Sequence, residues 1–401
     1  MTLITLDKAL RIVPGGSSTN AKSPLRFYPP ETPVFAISAE GCRFTDELGR
    51  VWLDCDMALG AVVWGHCRPE IDDAVRQQLG RGVLYSVPAT IEFEVAESIL
   101  GRLAAFDALR FFKNGSDAVS GAVRVARSAT GRRAVVCGTY HGWHDWAAYH
   151  FYGSQAELGI PLELSSTVRW AGGETYAAFR QQMSEDNPPA AVIVCPEHWA
   201  IPDLQELRVQ CSRRGSVLVF DEVKSGLRFG KRGVFATTGV VPDLLCLSKG
   251  LANGLPLSVL AGSGSLMRHC LQARLTGTHA GECLSLSAAG AAEQLLANVE
   301  AWPPWEGAAR DIMADASNAI NECGLQHHLV VEGYSGSFRV GAPGMPALAD
   351  PFREHFIRQL AREGVFSAGY ILLSAAHSQE DLSLVGRAVV KAIRGWAALN
   401  S

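Results

Sequence analysis

The chain has 401 residues, 48% of them apolar and 19% charged, with a formal net charge of −4. That balance excludes a disordered chain. Without a basic tract it also argues against a dedicated nucleic-acid or anionic-membrane surface. Apolar runs such as Ala190 to Cys195 and Val217 to Phe220 are far shorter than the ~20 residues a membrane helix needs, so no membrane partner is expected. Asp7 and Lys8 precede any long apolar block, so no signal peptide is expected either. The ten cysteines form no CxxC pair, and Cys137, Cys195 and Cys246 lie inside apolar runs. They read as reduced thiols of a cytoplasmic protein, not as a disulfide frame or a zinc site.

Pro14-Gly15-Gly16-Ser17-Ser18 opens a turn-rich N-terminal stretch. Alternation at Val34 to Ile37 and Cys42 to Asp46 predicts a hairpin turning at Gly41, and helical periodicity follows over Pro69 to Leu79 and Ile91 to Leu103. From about residue 110 to 265, short apolar runs alternate with amphipathic segments. The runs are Ala134 to Cys137, Ala191 to Cys195, Val217 to Phe220, Leu244 to Leu247 and Val259 to Ala261. The helices between them are Asp117 to Thr130, Glu174 to Glu185 and Leu204 to Arg214. Near-continuous apolar strands separated by helices predict an α/β fold with a large, mostly parallel sheet covered on both faces. Another helix is expected at Leu284 to Val299. Beyond it, helices at Phe352 to Arg362 and Glu380 to Leu399 flank a strand at Gly336 to Val340. The expected division is an N-terminal segment (residues 1–50) joining a smaller α+β domain at 301–401, with a large domain at 51–300 between them.

Ligands of open α/β sheets bind where strands deliver their C-terminal ends. Val217 to Phe220 is followed by Asp221-Glu222-Val223, and Leu244 to Leu247 by Ser248-Lys249-Gly250. On one sheet, Asp221 and Lys249 would share a rim; taken singly, each also fits an ordinary solvated loop. Asn114-Gly115-Ser116-Asp117 leads into a helix whose first turn offers free N–H groups to a phosphate. Gly115 frees the backbone there, and Ser116 can cap; a plain N-cap explains the same residues. Tyr140-His141-Gly142-Trp143-His144 follows another strand, and a tyrosine there can stack on a flat heteroaromatic ring. His141 and His144 lack a third metal ligand, so no metal is expected. A phosphate cup, a stacking aromatic, a carboxylate for a pyridine nitrogen and a Schiff-base lysine together describe a pyridoxal 5′-phosphate (PLP) site.

With these residues in this order, the chain resembles the class-III aminotransferases of PLP fold type I, nearest their glutamate semialdehyde aminomutase branch and related sugar-modifying aminotransferases. The likeness runs through Val13-Pro14-Gly15-Gly16, Gly65-His66, Asn114 to Ala118, Tyr140-His141-Gly142 and Phe220 to Val223. It continues through Ser248-Lys249-Gly250-Leu251-Ala252-Asn253-Gly254-Leu255-Pro256 and ends at Gly277-Thr278-His279-Ala280-Gly281-Glu282. It implies that Lys249 forms the Schiff base and that Asp221 bonds the pyridine nitrogen. Val223 and Tyr140 would pack on the two ring faces, with His141 beside the cofactor. Asn114, Gly115 and Ser116 would hold the phosphate. Thr278 would reach the neighbouring subunit's phosphate, making the active unit a homodimer with shared sites.

The implied activity is that of a transferase or isomerase: an aminotransferase or aminomutase acting on a small amino or keto acid, with an amino donor and a carbonyl acceptor as its small-molecule partners. Amination of a keto sugar or secondary metabolite, and amino-acid racemisation, are the alternatives. The aminomutase branch uses an N-terminal arginine for the substrate carboxylate. An ungapped alignment from Pro14 puts Lys22 there, whereas Ser23-Pro24-Leu25-Arg26 favours Arg26, whose planar guanidinium grips a carboxylate in two places. Trp64 and Lys224 join them as substrate-binding candidates. Lys224 follows Asp-Glu-Val where the family more often has a neutral residue; it would reset cofactor protonation, receive a substrate acid, or simply be solvated. Cys195-Pro196-Glu197 stands where the family shows Glu-Pro, so the usual carboxylate is missing or moved by two residues. The loop around Ala368-Gly369-Tyr370 is shorter than in the aminomutase, which counts against that particular reaction.

Overall fold

The structure, a computed structural model, describes residues 4–27, 29, 31–151, 159–334, 336–345 and 349–400, with the side chains of Arg26 and Phe27 outside the description. The chain divides into two compact units. Met1–Arg68 and Pro303–Ser401 form one, and Pro69–Trp302 forms the other.

After short helical segments beginning with Leu6–Ile12, the chain-end unit forms an antiparallel meander of β1 (Ala36–Glu40), β2 (Arg43–Asp46) and β3 (Val51–Asp54). Asp46 organises the second turn. Its carboxylate accepts the N–H groups of Leu48 and Arg50 at 3.0 and 2.8 Å and the indole N–H of Trp52 at 2.8 Å. Satisfying three donors through one buried side chain in this way closes a tight turn.

The large unit carries a seven-stranded sheet: β4 (Ala108–Phe112), β5 (Val135–Cys137), β6 (Val168–Trp170), β7 (Ala191–Val194), β8 (Val217–Glu222), β9 (Leu244–Leu247) and β10 (Ser258–Gly262). Their order is β4-β10-β9-β8-β7-β5-β6. The set from β6 to β9 is parallel, whereas β10 runs antiparallel to both of its neighbours. Helix Gly115–Thr130 lies on one face. Its Ala118, Val119, Ala122 and Val125 join alternate strand residues Val135, Cys137, Ala191, Ile193, Val217, Val219, Leu244 and Cys246 in one core. The alternation follows from the period-two side-chain geometry of a strand. The opposite-facing Val136, Val192, Leu218, Phe220 and Leu245 are equally buried, so both faces are covered and the strands read as unbroken apolar runs. Each such side chain adds ~1.5–3 kcal/mol on burial. Helix Thr90–Leu103 is joined to helix Cys283–Asn298 by a two-pronged ion pair. Arg102 Nε and Nη2 donate to Glu293 at 2.7 and 2.9 Å, and Nη1 caps the Lys231 carbonyl at 2.6 Å.

The chain-end unit resumes with helix Glu306–Glu322 and the hairpin of β11 (Val330–Tyr334) and β12 (Ser337–Gly341), followed by helix Pro351–Arg362, β13 (Val365–Phe366) and helix Gln379–Asn400. Residues 51–68, expected in the large domain, fold with the chain ends because β3 pairs with β2 on one side and runs parallel to β13 on the other. Among the described residues no helix is long and apolar enough to cross a membrane.

Candidate active site

The parallel strands β8 and β9 set the site. Their register pairs Asp221 with Cys246 and Glu222 with Leu247. Asp221, next to last in β8, therefore lies at the rim where β9 passes into Ser248 and Lys249. Asp221 and Glu222 point to opposite faces. Glu222 turns to the structural side, where its carboxylate accepts the Val234 and Phe235 N–H groups at 2.7 and 3.0 Å. Burial pushes its pKa up to about 8, against those two hydrogen bonds.

Asp221 faces a polar cluster. Its Oδ2 lies 2.7 Å from Nδ1 of the buried His141, and its Oδ1 accepts the Val223 N–H at 3.2 Å. Burial pulls the His141 pKa down, but the hydrogen bond and charge of Asp221, with Glu174 and Glu197 adding to them, outweigh it; the pKa ends above the ordinary histidine value. His141, Cys195 and Asp221 bring possible ligand atoms within 4.8 Å of one another. His141 and Asp221 already bond each other, however, and burial raises the Cys195 thiol far above its ordinary pKa. The trio is thus a hydrogen-bonded His141–Asp221 pair beside a neutral thiol. His144 has a separate structural role: its Nδ1 meets Ser120 Oγ at 2.7 Å, and that hydroxyl also accepts the Trp146 indole at 2.8 Å.

The residues expected to form a phosphate cup lie at the start of helix Gly115–Thr130. Asn114, not Ser116, is the N-cap residue. Its N–H and side-chain amide donate to Asp117 at 3.0 and 3.1 Å, leaving Gly115 and Ser116 in the first turn, where helix N–H groups have no intrahelical partner. Two close approaches demand glycine. A Cβ on Gly115 would lie 2.5 Å from Cγ1 of Val223, and one on Gly142 (φ +107°) would lie 2.5 Å from Ser116 Oγ. The loop Tyr140-His141-Gly142 therefore rests directly on the cup. From the sheet side, Ser258 Oγ at the start of β10 donates to the Asn114 carbonyl at 2.7 Å.

Lys249 follows β9 in a left-handed backbone conformation (φ +38°) and is half-buried. A non-glycine residue held there carries strain of ~1–3 kcal/mol, a feature concentrated at functional sites. The segment that Lys249 begins is closed by Ser248 Oγ, which donates to the Leu257 carbonyl at 2.8 Å. Tyr140 is 44% exposed and packs edge-on against Phe151. Val223 and Lys224 are half-buried, and Thr278 is exposed. In the chain-end unit Lys22 is exposed and Trp64 buried, while the Arg26 side chain falls outside the described residues.

Three residues of this cluster escaped the sequence-based site. Glu197, two positions beyond Cys195, accepts Ser225 Oγ at 2.9 Å and bears on the charge of His141. Burial raises its pKa, and Lys224 opposes the rise. Glu174 accepts the Trp199 indole, and its pKa is pushed up to about 7 by burial. The Cys195-Pro196-Glu197 departure pointed to the first of these; nothing local pointed to Glu174 or Trp199.

The profile of the family "Aminotransferase class-III" matches residues 28–148 and 192–333. The chain is 32% identical over 414 aligned positions to glutamate-1-semialdehyde 2,1-aminomutase 1 of Cenarchaeum symbiosum (strain A), covering 95% of this chain and 96% of that protein. A transaminase solved with PLP bound superposes with a TM-score of 0.85 at 25% identity, over 98% of this chain and 97% of that one. An omega-transaminase from Sphaerobacter thermophilus superposes with a TM-score of 0.81 at 26% identity, over 97% and 96% of the two chains.

Proposed function

Because this chain belongs to the class-III aminotransferases, enzymes of PLP fold type I that transfer an amino group or shift it within one skeleton, we propose that it acts on a small amino or keto acid with PLP held at the rim of β8 and β9 and with Lys249 as its covalent anchor. The observation that carries this reading is the delivery of Asp221 and Lys249 to one rim by adjacent parallel strands. That rim lies beside a helix start pressed so tightly on Val223 that only glycine fits.

The residues fit the cofactor on the chemistry of their donors. Gly115 and Ser116 offer first-turn N–H groups and the positive end of a helix, which suit a phosphate dianion. The Asp221 carboxylate, backed by His141, suits a protonated pyridine nitrogen. Tyr140 and Val223 supply ring-packing surfaces. When bound, PLP supplies an electron sink for the charge left on carbon as a proton departs. Released when the amine of the substrate takes its place, Lys249 Nζ would take the α-proton of the substrate and return it to a neighbouring carbon. Asp221 keeps the ring nitrogen protonated, and its anion is worth most as charge develops. Arg26 or Lys22 receives the substrate carboxylate, and Thr278 reaches the phosphate of a second copy, so the working unit is a homodimer. Ten free cysteines support a reducing, cytoplasmic setting.

The test is spectroscopic. The holoenzyme should show a visible band that fades on adding an amino donor, and Lys249→Ala should lose both band and turnover. A Lys249→Ala protein with unchanged band and turnover refutes the assignment. Mass spectrometry of a donor and acceptor screen then identifies the acid, and a keto-sugar acceptor or solvent deuterium entering without net transfer would redirect the substrate assignment.

A further inference from the structure

Glu174 has no part in the chemistry assigned so far. It precedes Thr175, the N-cap of helix Tyr176–Gln182, and so belongs to the loop that leaves β6. One oxygen, Oε2, accepts the Trp199 indole, and the Cys195 backbone N–H helps to hold the carboxylate pKa down against burial. The other, Oε1, is shut away from solvent with no hydrogen-bond partner among the described residues. The same is true of Nε2 of His141, whose Nδ1 is on Asp221. Buried polar atoms are seldom left unpaired, and these two are complementary, an imidazole N–H and a carboxylate oxygen. The negative charge of Glu174 bears on His141, placing both groups in one electrostatic neighbourhood.

The competing partners are already engaged. Asp221 of β8 occupies Nδ1. Glu197, beyond β7, receives Ser225 Oγ and feels the charge of Lys224. Cys195 carries a neutral thiol. We propose that Glu174 is a positioning residue that completes a chain Trp199–Glu174–His141–Asp221, its Oε1 accepting the Nε2 proton of His141 through one water. With both ring nitrogens protonated and both protons engaged, His141 is a cation clamped between two carboxylates. Asp221 is then kept as an anion in one orientation, which is what a carboxylate opposite a pyridine nitrogen requires. The inference rests on the proposed cofactor site only for this last consequence; the pairing itself concerns the protein alone.

The experiment follows the ring nitrogens of His141 by NMR in holoenzyme labelled with 15N-histidine, the signals identified by their loss in His141→Asn. In the wild type, both nitrogens should carry protons through neutral pH. Glu174→Leu should lower the pH midpoint of His141 by about one unit or more, the scale of a lost neighbouring charge. Glu174→Gln, which keeps an acceptor but not the charge, should lower the midpoint while preserving the Nε2 proton signal. Trp199→Phe, which strips a donor from Glu174, should move the midpoint down by less and serves if the leucine variant does not fold. An unchanged midpoint in these variants, or an Nε2 that carries no proton in the wild type, overturns the proposal. A chain that takes up PLP through Lys249 but shows an indifferent His141 refutes this chain of contacts alone. Failure to take up PLP refutes the cofactor site, while the same titration still decides the pairing.

Discussion

A single methyl group at Gly115 should damage the site more than the fold. The alanine Cβ would stand 2.5 Å from Cγ1 and 2.8 Å from Cγ2 of Val223. Non-bonded carbons rest ~3.5–4.0 Å apart, so the valine or the helix start must withdraw by about 1 Å. Overpacking of this kind costs ~1–3 kcal/mol. Replacing glycine in a helix offsets ~0.5–1 kcal/mol of that, and less at the first helical position. The net loss of global stability is therefore small. The displacement, however, falls on the two residues proposed to hold the phosphate and the ring. A misplacement of ~1 Å can cost ~100-fold in rate, so Gly115→Ala should lose ~10- to 100-fold in PLP affinity and in kcat/KM, with a Tm lowered by only a few degrees. Affinity is read from the visible absorbance on titration with PLP, and Tm by calorimetry. Val223→Ala removes both clashing methyls. The double variant should thus bind PLP more tightly than Gly115→Ala alone, with a coupling of ~0.5–3 kcal/mol. Wild-type affinity in Gly115→Ala, or simple additivity in the double variant, refutes the argument.

Two further outcomes follow from buried charges. Arg102→Ala strands Glu293, whose side chain is only 4% exposed, and should cost ~3–5 kcal/mol in urea unfolding. Arg102→Lys should recover only part of this, because an ammonium cannot donate in two parallel bonds. Glu222 sets a pH dependence: its folded pKa of about 8 lies above the ordinary 4.5. Between these values the unfolded chain has released the proton and the folded chain still holds it, so stability falls as pH rises from about 4.5 to about 8. Glu222→Gln should flatten that part of the Tm–pH curve, and an unchanged slope would show that Glu222 does not titrate in this window.

Much of the rim was legible because it is local. Val217 to Phe220 and Leu244 to Leu247 are unbroken apolar runs flanked by helices, and both are strands, the first extending through Asp221 and Glu222. What non-local pairing decides was not legible. β10 reads like any buried parallel strand, yet it runs antiparallel to both neighbours. β6 was hidden because Val168-Arg169-Trp170 is short and carries a charge, and β4 because Ala108–Phe112 is interrupted by Arg110. Periodicity placed Glu174 at the head of a helix over 174–185, whereas the helix is Tyr176–Gln182, capped by Thr175. That two-residue difference separates a solvated helical glutamate from a half-buried one whose Oε1 is shut away from solvent. The Ser116 cap was misplaced for a similar reason. Asn114 and Asp117 bond each other across the first turn, and a reading of residue types alone cannot choose among neighbouring cap residues.

The reversed strand has a consequence for how this enzyme can change. Lys249 opens a segment tied off by Ser248, and Ser258 pins its far end to the cup. The segment is in effect a ruler between the proposed anchor of the cofactor's aldehyde end and the proposed cradle of its phosphate end. Slipping β10 by one residue would swing Ser258 to the opposite face of the sheet. Insertions and deletions should therefore accumulate in the loops of the outer helices and be purged between Lys249 and Ser258. A chimera that borrows this stretch from a relative must import it at full length, with the serine that ends it.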